Sequence, residues 1–148
     1  MKSRLIFQVV IVLLLMSCEN IHEFNKLKVD KITYGDCKTD SKKSENTERI
    51  EYKTVDKDYL EIKHINGMFN CEPGRLLVNV SKEDNIVFID ESEEYPIANC
   101  ICPYDLCYRI GPMDYGYYIL EFQRGGLKYV EFPVDFNSKT SGVFEIDQ

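Results

Sequence analysis

The chain has 148 residues, with 18 Lys and Arg against 25 Asp and Glu and a formal net charge of −7. That length suits one domain with one sizeable core. The acidic balance, with no basic stripe to offset it, excludes nucleic acid as a partner.

Lys2 and Arg4 precede an apolar run from Leu5 to Met16, which Ser17 and Cys18 follow. A basic start, an apolar stretch and a small residue before a cut site make a secretory signal. The run falls well short of the ~20 residues a membrane-spanning helix needs. Leu15-Met16-Ser17-Cys18 resembles the lipobox of bacterial lipoproteins. The resemblance implies cleavage before Cys18, acylation of Cys18, and a lipid anchor in the outer membrane of the cell envelope, facing the periplasm or the cell surface. Residues 1–17 are then a signal peptide, 18–26 a lipidated polar tether that includes His22, and 27–148 the folded domain.

Beyond the tether, two-residue alternation dominates over helical periodicity. Lys28 to Tyr34 reads as a first strand, and the polar run Lys38 to Glu48 as a loop. Arg49 to Val55 and Tyr59 to Ile65 are the next strands, the second carrying Leu60, Ile62 and His64 on one face. Asn66-Gly67 is a turn signal. Arg75 to Val80, Asn85 to Asp90 and Ala98 to Cys102 follow as strands, with a further short candidate at Cys107 to Ile110 that ends at Gly111-Pro112. Tyr117 to Gln123 and Leu127 to Phe136 flank Arg124-Gly125-Gly126 as a hairpin, and Gly142 to Ile146 closes the sequence. About eight short strands without a helix predict an all-β protein, a sandwich ahead of a small barrel. Asp114-x-Gly116-x-Tyr118 has the form of the tyrosine corner of immunoglobulin-like domains, which makes an immunoglobulin-like β-sandwich the expected fold. The antibody-type core is not expected, because Leu120 stands where its cysteine would be and the chain has no Trp.

Five cysteines follow Cys18, namely Cys37, Cys71, Cys100, Cys102 and Cys107. In an exported protein disulfides are their default use, with one thiol left over. Cys100 and Cys102 share a face of an extended strand, so either is the expected partner of Cys71, and Cys37 is assigned to Cys107. A zinc site or thiol-dependent enzyme built from Cys71, Cys100, Cys102 and His64 is the alternative, against which stand the unpaired spacing and the oxidising compartment. No metal or cofactor is therefore expected.

His64 reads as a core histidine donating to a backbone carbonyl, with a weaker claim as a binding residue. Asp90, Glu91, Glu93 and Glu94 read as a solvated loop that protects a sheet edge. No nucleophile elbow, phosphate loop or His-Glu-x-x-His is present. Tyr104, Tyr108, Tyr115, Tyr117 and Tyr129 are more suited to packing than to binding, but any contact surface is expected around Tyr104 and Tyr115.

His64-x-Asn66-x-x-Phe69-Asn70-Cys71 and Asn99-Cys100-x-Cys102-x-Tyr104-Asp105-Leu106 together resemble a group of small Bacteroidota-type lipoproteins. The resemblance spans Leu60 to Phe122 and brings no activity with it. The chain departs from that pattern at Glu72, where those lipoproteins have a second cysteine. The sequence thus predicts a non-catalytic envelope protein, binding or structural, with an envelope protein or a glycan as partner. A protease inhibitor presenting Asn99 to Leu106 from a sandwich scaffold is the further alternative.

Overall fold

A computed structural model describes residues 27–38 and 47–147. The signal peptide 1–17, the tether 18–26, the lipid site Cys18 and His22 lie outside them. Nine strands and no helix make up the described residues: β1 (Lys28–Tyr34), β2 (Arg49–Val55), β3 (Tyr59–Asn70), β4 (Leu76–Glu83), β5 (Ile86–Glu93), β6 (Ile101–Gly111), β7 (Gly116–Arg124), β8 (Leu127–Phe136) and β9 (Ser141–Glu145). They form two sheets, β1-β6-β3-β2-β9 and β4-β5-β7-β8. All pairings are antiparallel except β5 with β7, which run parallel. The fold is an all-β sandwich.

Alternation builds the core. Leu60 and Ile62 of β3 with Leu106, Tyr108 and Ile110 of β6 face Val87 and Ile89 of β5 and Leu120 and Phe122 of β7, all nearly or fully buried. Burying side chains of this size contributes about 1.5–3 kcal/mol each. Phe132 of β8 stacks between Phe122 and Phe144, with ring centroids 5.8 and 4.5 Å apart, and closes the sandwich on the β8–β9 side.

Three local expectations change. Asn66-Gly67 is not a turn, because β3 continues through it to Asn70. The pairing with β6 instead shifts register between His64 and Gly67, with Asn66 at φ 57°, so the residues that favour positive φ make a bulge inside a strand. Of the expected strand Ala98–Cys102 only Ile101 and Cys102 are extended, and they belong with Cys107–Ile110 to one strand, β6, which runs through Pro103. The carbonyl of Pro103 accepts from Lys38 N past the end of β1, where ladder pairing has already become irregular, so a missing N–H is tolerated. The acidic run after Asp90 is not a loop: β5 extends to Glu93, and Glu91 points inward.

Tyr118 opens the inward face of β7, and its hydroxyl donates to the carbonyl of Asp114 at 2.9 Å. The bond ties the loop before β7 to the strand, as a tyrosine corner does.

Candidate functional site

Two polar centres stand out, one between the sheets and one at their end. The first forms because charged residues occupy inward positions of strands whose other inward positions are apolar. His64 follows Leu60 and Ile62 on β3, Glu91 follows Val87 and Ile89 on β5, and Arg124 follows Leu120 and Phe122 on β7. Glu48 precedes Ile50 by two residues. His64, Glu48 and Glu91 are all at most 2% exposed.

The imidazole bridges the two acids. Nδ1 lies 2.6 Å from Glu91 Oε2 and Nε2 lies 2.8 Å from Glu48 Oε1. Tyr108 donates to the other oxygen of Glu91 at 2.7 Å, and Tyr129 to the other oxygen of Glu48 at 2.6 Å. Arg124 reaches Glu48 Oε1 at 2.9 Å and donates to the carbonyl of Met68. Its guanidinium lies 4.6 Å from the Phe69 ring centroid and 4.2 Å from that of Tyr129, a cation–π sandwich.

Two carboxylates on opposite ring nitrogens require both nitrogens to donate, which only the imidazolium does. Burial by itself lowers the pKa of His64; the Glu91 charge and the hydrogen bonds to Glu48 and Glu91 outweigh it and raise the pKa to about 9. Burial first, then the bond to Glu48, pushes the Tyr129 phenol up to about 12, and burial pushes Tyr108 well up. Both tyrosines therefore stay donors. With His64 protonated, two cations and two carboxylates cancel, the condition under which charges persist in an interior.

The histidine expected to donate to a backbone carbonyl is thus held by two side-chain acids, neither of them assigned to the core from sequence. Fully enclosed, with both nitrogens engaged, His64 is not a binding residue and has no nitrogen to offer a metal. The zinc set of Cys71, Cys100, Cys102 and His64 is lost with it.

The second centre is the tip where β3 ends and β6 begins. Cys71 is bonded to Cys100, one of its two expected partners, and Cys37 is bonded to Cys102. The expected Cys37–Cys107 pair does not form. Cys107 is the free thiol, on the outward phase of β6 opposite Thr33 and Lys63. The main chain frames the same place: Cys71 N donates to Cys100 O at 3.1 Å, Lys38 N to Pro103 O at 3.0 Å and Gly35 N to Asp105 O at 3.3 Å.

Loop 94–97 lies along loop 72–75, with Glu94 N, Tyr95 N and Ile97 N donating to Arg75 O, Pro73 O and Glu72 O. Asn70 clasps Ala98 through both its amide groups. Gly74, at φ 68°, is needed there, because a Cβ would come within 3.2 Å of the Tyr95 carbonyl oxygen. On this frame Tyr95, Ile97 and Ile101 stand 72%, 78% and 68% exposed. The sequence reading missed the first two, though a Tyr and an Ile within a Pro-containing loop were the available signal.

Of the two expected contact residues, Tyr104 is buried, and its hydroxyl donates to Cys71 O, while Tyr115 is exposed. Tyr108 is buried as well, whereas Tyr115 and Tyr117 are exposed at the opposite end, by the tyrosine corner. A groove of about 370 Å³ on the outer face of β2, β3 and β9 is lined by Glu51, Lys53, Glu61, Lys63 and Val143, with Lys53 and Glu61 paired at 3.2 Å. No protein family, curated protein or solved structure matches the chain.

Proposed function

We propose that the chain is an exported, lipid-anchored protein of the cell envelope that acts by binding rather than by catalysis, with the braced tip as its contact surface. The observation that carries this reading is the trio Tyr95, Ile97 and Ile101, held in water by main-chain hydrogen bonds and two disulfides. A rigid surface binds with less ordering cost than a mobile one, and aromatic and aliphatic anchors supply most interface energy. Disulfides on four of the five described cysteines fit an oxidising compartment. The enclosed His64 leaves no near-neutral base among the described residues for a substrate to meet.

Geometry favours an outward-facing tip. Lys28 pairs with Gly111 and Tyr34 with Leu106, so β1 climbs the sandwich from the tether to Cys37. At about 3.3 Å per residue the tip lies roughly 25–30 Å from the point where a lipidated tether joins the domain. Asp36, Glu72 and Glu93 give the tip a negative field, which adds to burial in raising the Tyr104 pKa. The partner is therefore an envelope protein whose apolar recess has a basic rim. The tyrosine corner further supports an immunoglobulin-like reading of the sandwich, from which the parallel β5–β7 pair departs.

Photo-cross-linking in intact cells tests the surface. A photoreactive residue at position 97 is expected to give a discrete protein adduct, and one at Val143 none; silence at both positions rejects the proposal. Cys18→Ser is expected to move the protein from the membrane to the soluble fraction, and retention in the membrane rejects the anchor.

A further inference from the structure

The cysteines at the tip converge more closely than two separate braces require. The sulfurs of Cys37, Cys71 and Cys102 lie within 4.8 Å of one another, and the sulfur of Cys100 is bonded to that of Cys71. They come from three chain segments that the backbone holds side by side without help from sulfur. These are the 35–38 segment, the start of β6 and the end of β3, joined by the bonds from Gly35 N, Lys38 N and Cys71 N. Opening the disulfides therefore leaves four thiols in one place.

We infer that the reduced tip is a four-cysteine site for a soft divalent cation such as Zn²⁺, with Cys37, Cys71, Cys100 and Cys102 as ligands. A tetrahedral tetrathiolate with Zn–S near 2.3 Å has sulfurs about 3.8 Å apart. Metal binding at this site requires the present spread to close to that by side-chain rotation. The site takes Cys37 in the place that sequence reading gave to His64.

The chemistry balances with a dithiol as reductant. Each S–S bond accepts two electrons and two protons from one dithiol, which closes to its own disulfide, so two dithiols yield four thiols. The cation then displaces four protons to solvent and forms four metal–sulfur bonds. The oxidised tip binds no metal, so the two states exclude each other. The binding surface proposed above belongs to the oxidised, disulfide-braced state and the metal site to the reduced one, so cross-linking at position 97 and Co²⁺ uptake fail separately.

The test uses the full chain reduced with a water-soluble phosphine, which is oxidised to its oxide by water oxygen as each disulfide opens. After desalting without oxygen, Co²⁺ is titrated and its thiolate charge-transfer and d–d bands are read. One equivalent is expected to bind to reduced wild type and to Cys107→Ser, with Zn²⁺ displacing it, and none to the oxidised protein. Cys37→Ser and Cys102→Ser are each expected to weaken binding at least ~100-fold, with circular dichroism confirming that the strands persist. Reduced wild type that takes up no Co²⁺ with thiolate bands overturns the inference. So does Cys37→Ser, the ligand on the 35–38 segment, binding as wild type does.

Discussion

Between the sheets, the buried Glu48, His64 and Glu91 and the partly exposed Arg124 are held by charge and hydrogen bonds. At the tip, Cys37, Cys71, Cys100 and Cys102 are held by covalent bonds beside solvent. The core cluster answers to proton concentration and ignores reductant; the tip answers to reductant. A single fold thus carries two independent points of weakness, and perturbing each in turn shows whether they are separate.

The largest expected effect comes from the interior. His64→Leu keeps apolar volume but leaves two buried carboxylates facing one another, and removing one partner from a buried ionic group costs about 3–5 kcal/mol. Urea unfolding of the oxidised protein measures it; a loss under ~1 kcal/mol would make the cluster a passenger. Next are the disulfides. The Cys37–Cys102 bond closes a 65-residue separation and Cys71–Cys100 one of 29. Chain entropy makes the first worth about 4 kcal/mol and the second about 3.5 kcal/mol. Denaturant midpoints of Cys37→Ala/Cys102→Ala and Cys71→Ala/Cys100→Ala check that order, and its reversal would show that entropy does not govern the tip.

The pH response is slightly smaller. The folded pKa of His64, about 9, lies above the ordinary 6.5. Its contribution is therefore complete below about pH 6.5 and is lost as pH rises through about 9, for a total of roughly 3 kcal/mol. Stability measured across that window is expected to fall in wild type with a slope that His64→Leu does not share. Equal slopes in both would remove the imidazolium from the account. The smallest effect is at the bond from Tyr118 to the Asp114 carbonyl: Tyr118→Phe deletes one neutral hydrogen bond, worth about 1 kcal/mol, and thermal unfolding resolves it.

Strand positions and the two-sheet architecture were legible because apolar residues alternate at a period of two over most strands. The charged core was legible in principle. His64, Glu91 and Arg124 fall on the inward phase of their strands and Glu48 on the same phase just before β2, and extending the alternation by one step past Ile50, Ile62, Ile89 and Phe122 finds them. Residue type argues against that step, since Glu and Arg are almost never buried unless paired, and partners drawn from different strands are invisible in a linear reading. Asn66-Gly67 misled because the same φ preference serves a hairpin turn and a bulge. The Cys37 pairing depended on where the 35–38 segment runs after β1. That position is set by main-chain bonds to Pro103 and Asp105, which the spacing of cysteines does not encode.

The ionic cluster also acts as an alignment key. An apolar interior accepts many sliding offsets between two facing sheets at similar energy, because one aliphatic contact substitutes for another. His64 from one sheet must meet Glu91 from the other, and Arg124 must meet Glu48 across the same gap. A slip by one repeat of the pleat parts His64 from Glu91 and leaves buried charges uncompensated, a cost that works against misaligned docking.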